Sequence, residues 1–207
     1  MSKRKRRKRA MRQRRMRKIA AITAAAVLAL GIAGLIVWQA LERSPGTTAQ
    51  NYPVAYENLI RIASAQFELD PAYVASVILA ESSYVPDAVS SADARGLMQL
   101  MPDTAAWIAA RLGEPYSEES LFDPAVNIRY GCWYLGFLME RYGGDMRCAS
   151  SAYHQGQGTV DRWLRDPAYS ADGATLDTIP SEATDTYVQR ILKYYEKYAK
   201  IYEELPA

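Results

Sequence analysis

Residues 70–102 read DPAYVASVILAESSYVPDAVSSADARGLMQLMP, and this stretch decides both the fold and the chemistry expected of the chain. Asp70-Pro71 predicts a helix start, because an aspartate side chain caps free backbone N–H groups and proline is tolerated in the first turn. Apolar residues then recur at helical spacing, at Val74, Val77 and Ile78. Glu81 continues this apolar face. Since burial disfavours the charged carboxylate, the pKa of Glu81 is expected to be raised, as a general acid near neutral pH requires.

Charge divides the chain into two unequal parts. Residues 1–18 hold 12 of the 25 Lys and Arg residues and no acid, whereas the remainder carries 13 basic and 23 acidic side chains, a net charge of −10. A basic tail of this kind is also found in nucleic-acid binding and nuclear targeting. The acidic remainder disfavours that interpretation, so no nucleic-acid partner is expected.

An uncharged segment follows the tail. Residues 19–41 contain no charged side chain, and as a helix they would extend about 35 Å at about 1.5 Å per residue. That length crosses a bilayer core of about 30 Å. The preceding positive charge predicts that the N-terminus is cytoplasmic and that everything after Leu41 is outside. A cleavable signal peptide is the alternative, although its apolar run is usually about 7 to 15 residues.

The sequence thus predicts four parts: a basic cytoplasmic tail (1–18), a transmembrane helix (19–41), a short linker (42–51) and one globular domain (52–207). The linker, ERSPGTTAQN, has the polar composition of a flexible connection.

Helical periodicity runs through the globular domain, and no alternating pattern is long enough to build a sheet. The expected fold class is therefore all-α. An amphipathic first helix is predicted from Val54, Leu59, Ile62, Ala63 and Phe67. Later helices are expected to begin near Pro102, Pro124 and Ser181.

Three segments together resemble one known family. Glu81-Ser82 is followed by GLMQLMP at 96–102 and by AYHQGQGTVDRWL at 152–164. In this order and spacing they resemble lytic transglycosylases of the soluble-lytic-transglycosylase (SLT) type, which share the lysozyme-like fold of goose-type lysozyme. The resemblance covers residues 52–204.

The resemblance implies a reaction on peptidoglycan. These enzymes cleave the β-1,4 bond between N-acetylmuramic acid and N-acetylglucosamine without water and leave a 1,6-anhydro product. Glu81 would act first as general acid and then as base, with the substrate's own N-acetyl group assisting in place of a second carboxylate. No cofactor is implied. Peptidoglycan glycan strands are the expected partner, and the expected location is the outer face of a bacterial cell membrane.

Further site residues follow from the resemblance, each with a structural alternative. Ser90 occupies the position of a serine that bonds the muramyl N-acetyl group, or it caps its own loop. Gln99 and Met101 belong to the segment that lines the sugar sites, but Gln99 could clamp the backbone and Met101 could fill the core. Tyr153 matches a tyrosine that orients the catalytic carboxylate or the N-acetyl group. Asp87 and Asp93 are the nearest loop acids.

Two positions depart from the family pattern. His154 stands where the family has asparagine, and an imidazole can also donate and accept a hydrogen bond, so it stays a candidate for substrate binding. As the chain's single histidine it has no second ligand at metal-binding spacing, and no metal is expected. Near the C-terminus, Ala183 occupies a usual glutamate position and Glu182 stands one residue earlier.

Cys132 and Cys148 both fall in the part expected outside the membrane. An even number of cysteines there permits a disulfide. Counted from the Gly143-Gly144 bend the two are not level, but a crossed pair of helices would bring them together, so a bridge is predicted.

Two other functions remain open at the sequence level. A muramidase would use the same fold and hydrolyse the same bond with water. A non-catalytic wall-binding or assembly protein would retain the cleft without turnover.

Overall fold

A computed structural model describes residues 51–206, and seven α-helices follow one another in this part of the chain. They are α1 Glu57–Gln66, α2 Pro71–Ser82, α3 Pro102–Leu112, α4 Pro124–Arg141, α5 Met146–Gln155, α6 Gln157–Leu164 and α7 Glu182–Glu204. A short 3-10 helix, Glu118–Phe122, precedes α4. Extended pairing within the described range is limited to two isolated antiparallel bridges, Val89 to Arg95 and Arg95 to Leu100. The all-α prediction is confirmed.

Asp-Pro pairs start two of these helices, as the sequence predicts. Oδ1 of Asp70 accepts a hydrogen bond from the backbone N–H of Ala72 at 2.8 Å. Asp123 makes the same 2.8 Å bond with the N–H of Ala125. Each aspartate therefore satisfies a backbone donor that a helix end leaves without an intrahelical partner.

Helix α2 lies at the centre of the domain. All residues from Ala72 to Ile78 are buried, and the helix packs along α7 and against α1. A helix that is buried all round is typical of a domain interior rather than of an amphipathic surface position. Glu81 therefore sits where the central helix emerges from the core.

The predicted buried face of α1 is right in part, because Ala63 is buried and Leu59 and Phe67 pack against the core, but two of the predicted residues are exposed. Val54 precedes the helix and is 37% exposed, and Ile62 is 66% exposed. The buried residues are Ile60, Ala63 and Ser64. Small side chains at a helix contact allow a shorter interaxial distance, and this closely packed face of α1 meets α2 and α4.

Two hydrophobic clusters meet at the turn after α2. Leu97 and Met98 belong to the main cluster, which α2 and α7 dominate. Leu100 belongs to a smaller cluster built on α3 and the start of α4. The Gly-Leu-Met-Gln turn is thus fixed in both clusters, which leaves it little freedom relative to Glu81.

The predicted disulfide is also wrong, because Cys132 and Cys148 are both free and buried. Cys132 precedes the Gly143-Gly144 bend by about eleven residues and Cys148 follows it by about four. The helices do not bring the two thiols together, and Sγ of Cys148 instead lies 3.9 Å from the carbonyl oxygen of Ala174. Burial raises the pKa of both thiols, which makes each of them unreactive.

The predicted membrane segment at 19–41 and the basic tail lie outside the described residues. Within residues 51–206, no helix combines the length and the apolar character that a bilayer crossing needs.

Candidate active site

Glu81 lies one residue before the end of α2, where the backbone turns sharply. Ser83 and Tyr84 both adopt left-handed conformations, with φ of 52° and 65°. Non-glycine residues rarely adopt this region, and they do so where the surroundings hold them. The Tyr84 side chain is buried and packs on the ring of Tyr198. The turn thereby leaves Glu81 at the edge of the core and not inside it.

The carboxyl group of Glu81 is bound by a tyrosine from the far end of the chain. The Tyr187 hydroxyl of α7 donates a hydrogen bond to Oε1 of Glu81 at 2.5 Å. Burial raises the pKa of Glu81 to about 7, although the Tyr187 hydrogen bond and the positive charge of Arg190 act in the opposite direction. Glu81 therefore holds or releases a proton near neutral pH, which confirms the predicted direction of its pKa.

The Gly-Leu-Met-Gln turn at residues 96–99 is held in place by a buried asparagine, Asn127. Oδ1 of Asn127 accepts from the N–H of Met98 at 2.7 Å, and its Nδ2 donates to the carbonyl groups of Arg95 at 2.9 Å and Leu121 at 2.8 Å. Gly96 has φ of 74°, and a Cβ there would lie 2.2 Å from Nδ2 of Asn127. Only glycine fits at this close approach.

Gln99 closes the same turn from the other side. It has a left-handed backbone, with φ of 48°, and its Nε2 donates to the carbonyl groups of Ala88 at 3.1 Å and Gly96 at 2.9 Å. The structure thus places Gln99 as a backbone clamp. Met101 at the start of α3 is 42% exposed, so it does not fill the core.

The loop between α2 and the turn carries Ser90 and the loop acids. Oγ of Ser90 accepts from the N–H groups of Ala94 at 3.0 Å and Ala92 at 3.3 Å, a loop-capping arrangement. The carboxylate of Asp93 is bound by Arg95 through two hydrogen bonds, of 3.0 and 3.1 Å. Asp87 is exposed.

Tyr153 links α5 to the turn. Its hydroxyl donates to the carbonyl oxygen of Met98 at 2.8 Å, and its ring packs against Tyr134. Burial, and next the charge of Glu81, raise the pKa of Tyr153 well above its usual range. Tyr153 is therefore an electrostatic neighbour of Glu81, and the hydroxyl that bonds the carboxyl group is that of Tyr187.

Sequence reasoning missed Tyr187 as a site residue. The available signal was the spacing from Ile179-Pro180 to Tyr187-Val188, which matches the family pattern. The spacing within one segment does not show which distant residue a side chain contacts. The contact between Tyr187 and Glu81 became apparent only from the packing of α2 on α7.

The two departures from the family pattern have different surroundings. The His154 ring packs on that of Tyr187, with centroids 4.6 Å apart, and its Nδ1 lies 3.2 Å from the Thr184 hydroxyl. Glu182 and Ala183 are exposed in the first turn of α7. Among residues 51–206, no group of three or more His, Cys, Asp or Glu side chains is arranged to hold a metal ion.

Comparison with known proteins assigns these features to a family. The sequence profile of the transglycosylase SLT domain matches residues 58–174, more than half of the chain. This chain belongs to the transglycosylase SLT domain family.

The relatives of this SLT domain are longer proteins. The soluble lytic murein transglycosylase of Escherichia coli (strain K12) is 33% identical over 166 residues, which cover 79% of this chain and 24% of the relative. The membrane-bound lytic murein transglycosylase C of Mannheimia succiniciproducens is 40% identical over 118 residues, 52% of this chain and 33% of the relative. The chain thus spans about a quarter to a third of these proteins.

A solved structure shares the fold. The X-ray structure of an inactive mutant of the lytic transglycosylase Slt from Pseudomonas aeruginosa matches with a TM-score of 0.68 at 33% identity. The match covers 75% of this chain and 25% of the other. The predicted lysozyme-like fold of the SLT type is confirmed.

Proposed function

We propose that the SLT domain is a lytic transglycosylase that cleaves the bond between N-acetylmuramic acid and N-acetylglucosamine in peptidoglycan and forms 1,6-anhydro ends. The observation that carries this proposal is the Glu81 carboxyl group, held by Tyr187 with a pKa of about 7. The names of the relatives, lytic murein transglycosylases, support the substrate class.

A single carboxyl group with this pKa suits a two-step proton transfer. Protonated Glu81 donates its proton to the glycosidic oxygen while the bond to C1 breaks. The resulting carboxylate keeps the Tyr187 hydrogen bond, which stabilises its charge. It then removes the proton from the C6 hydroxyl as O6 bonds to C1, and the protonated acid is restored. Positive charge at C1 is met by the substrate's N-acetyl oxygen.

The loop acids fit a mechanism without a second catalytic carboxylate. Asp93 is occupied by Arg95 at the exposed side of the loop. A hydrolase of the usual type uses two carboxyl groups on either side of the bond. Asp93 is engaged in this ion pair and Asp87 is exposed, so product analysis is the measurement that separates the transglycosylase from the muramidase.

Substrate-binding roles are proposed for Ser90, Gln99, Met101 and Tyr153, whereas the contacts of His154 support a different role, described below. Both hydrogens of the Gln99 amide are used on backbone carbonyl groups, so its Oε1 remains as an acceptor for a sugar donor. The exposed Met101 side chain offers an apolar surface to a sugar ring. Oγ of Ser90 accepts from two backbone N–H groups and keeps its O–H as a donor, whereas the Tyr153 hydroxyl donates to Met98 and keeps acceptor capacity.

The proposed location is the outer face of a bacterial cell membrane, with residues 19–41 as a single span. The basic residues 1–18 would remain in the cytoplasm. The membrane-bound relatives support membrane association. A reporter enzyme that is active only outside the cytoplasm, fused after residue 207, would test the orientation, because an inactive fusion would contradict it.

Product analysis tests the reaction. Purified full-length protein in detergent is incubated with peptidoglycan, and the products are examined by mass spectrometry beside those of Glu81→Gln. We expect anhydro ends from the wild type and none from the variant. Products with only reducing ends would favour the muramidase. Absence of wall lysis with both proteins would favour the non-catalytic alternative.

A further inference from the structure

His154 is the site position where this chain departs most clearly from the family pattern, and its contacts lie on the Tyr187 side of the site. The His154 and Tyr187 ring centroids are 4.6 Å apart and the planes are inclined by 30°. Tyr187 is buried, while His154 covers it from the exposed side. The imidazole therefore forms part of the wall that holds the tyrosine ring.

A hydrogen-bond network fixes the imidazole in this position. Its Nδ1 lies 3.2 Å from Oγ1 of Thr184, which is fully buried. The Thr184 hydroxyl also lies 3.1 Å from Oε1 of Gln155 and 3.0 Å from Oγ of Ser181. The Thr184 hydroxyl has one proton and two lone pairs, so it can join the imidazole to Gln155 and Ser181 in one network.

We propose that His154 is a positioning residue for Glu81: its ring packs on Tyr187 and keeps the Tyr187 hydroxyl on the Glu81 carboxyl group. The inference rests on the proposed function only in taking Glu81 as the acid of the reaction. It differs from the substrate-binding role expected from the sequence, because His154 then acts through Tyr187 and need not touch the sugar.

The charges around the site agree with a packing role. Tyr187 and Arg190 face Glu81 from α7, and Tyr153 faces it from α5. Burial, and next the charge of Arg190, lower the pKa of His154. A lowered pKa favours the neutral imidazole, which adds packing against Tyr187 and no charge.

The direct test is to measure the pKa of Glu81 by a carboxyl ¹³C NMR titration of the full-length protein in detergent. Because the Tyr187 hydrogen bond lowers this pKa, its loss must raise it. We expect Tyr187→Phe to raise the pKa by about 1 unit. His154→Ala should raise it by about half a unit, since a loosened Tyr187 keeps part of the hydrogen bond. The double variant should match Tyr187→Phe alone, as expected of two residues that act in sequence.

Two replacements separate packing from hydrogen bonding. His154→Phe keeps an aromatic ring on Tyr187 and loses the bond to Thr184, whereas His154→Asn keeps a polar group and loses the ring. We expect the wild-type pKa of Glu81 in His154→Phe and a raised one in His154→Asn. Circular dichroism at each pH shows which variants are folded. If His154→Ala does not fold, the pKa of Glu81 in His154→Phe or His154→Asn still tests whether His154 acts by packing on Tyr187.

Kinetics provide a second readout. A positioning role lowers kcat and moves the alkaline limb of the pH profile upward with little change in KM. An increased KM with an unchanged pKa of Glu81 would overturn the inference in favour of substrate binding. A raised pKa in His154→Phe equal to that in His154→Ala would overturn the packing mechanism. The NMR titration needs no turnover, so it stands even if product analysis contradicts the proposed function.

Discussion

Tyr187 and Glu81 are 106 residues apart in the chain, yet the tyrosine hydroxyl lies 2.5 Å from the carboxylate oxygen. Helix α7 makes this contact as it packs along the buried helix α2. Burial and this hydrogen bond act in opposite directions on the carboxyl group, and burial prevails. A proton can therefore be held and released at the same oxygen near neutral pH.

Replacement of Glu81 by Gln should stabilise the fold at alkaline pH. The folded-state pKa of about 7 lies above the ordinary value of 4.5, so the folded protein binds more protons between these values and stability falls as pH rises through them. Above pH 7 the buried charge costs on the order of 3 kcal/mol. Thermal unfolding of the full-length protein should show a larger gain for Glu81→Gln at pH 8 than at pH 4. An equal gain at both values would show that the pKa of Glu81 is not raised.

Loss of the Tyr187 hydroxyl should change the pH dependence of the reaction. In Tyr187→Phe the carboxylate loses a stabilising donor, so the acid stays protonated to higher pH and the alkaline limb of kcat moves up by about 1 pH unit. The rate constant should fall about tenfold, because the carboxylate formed in the first step is less stable. Rates of release of anhydro products from pH 4 to 9 would measure both effects.

Tyr195→Phe is the matched control for that variant. Tyr195 is also on α7, and its hydroxyl donates to Oδ2 of Asp70 at the other end of α2, at 2.8 Å. Its removal deletes one tyrosine-to-carboxylate bond between the same two helices. An unchanged pH profile is expected, and a shift like that of Tyr187→Phe would mean that helix packing, not the bond to Glu81, sets the profile.

Two glycines in helices should respond in opposite ways to alanine. A Cβ at Gly131 would lie 2.2 Å from Sδ of Met98, so Gly131→Ala should destabilise the domain by about 1–3 kcal/mol through overpacking. A Cβ at Gly158 in α6 meets nothing within 4 Å, so Gly158→Ala should be neutral or stabilise by up to about 1 kcal/mol. Thermal unfolding of both variants under one condition would compare them. Equal effects would contradict the close contact of α4 with the turn.

Both cysteines should react as thiols only after unfolding. Cys132 and Cys148 are buried and free, and burial raises the pKa of the Cys148 thiol to about 12. A thiol reagent should therefore find two reactive groups per chain in denaturant without reductant, and none in the folded protein. If the two thiols react in denaturant only after a reductant is added, the disulfide predicted from the sequence is present and the free cysteines are wrong.

Local signals in the sequence were sufficient for the helices and for the candidate acid. Asp70 and Asp123 start their helices through side chains that reach backbone groups two residues away, and such short-range geometry is encoded in a few neighbouring residues. The buried face of α1 was predicted only in part, because Ile62 has the right spacing but is exposed to solvent. Which face is buried depends on the neighbouring helices and not on the pattern alone.

The sequence by itself determined the all-α class, the family and Glu81 as the candidate acid, because spacing and residue type suffice for these. Only the tertiary structure decided which groups surround that acid. Tyr187 bonds Glu81, Tyr153 bonds Met98 instead, and the two cysteines remain apart. Each of these outcomes depends on how helices distant in the chain are placed against each other, and a few tenths of an ångström there decide whether a hydrogen bond forms.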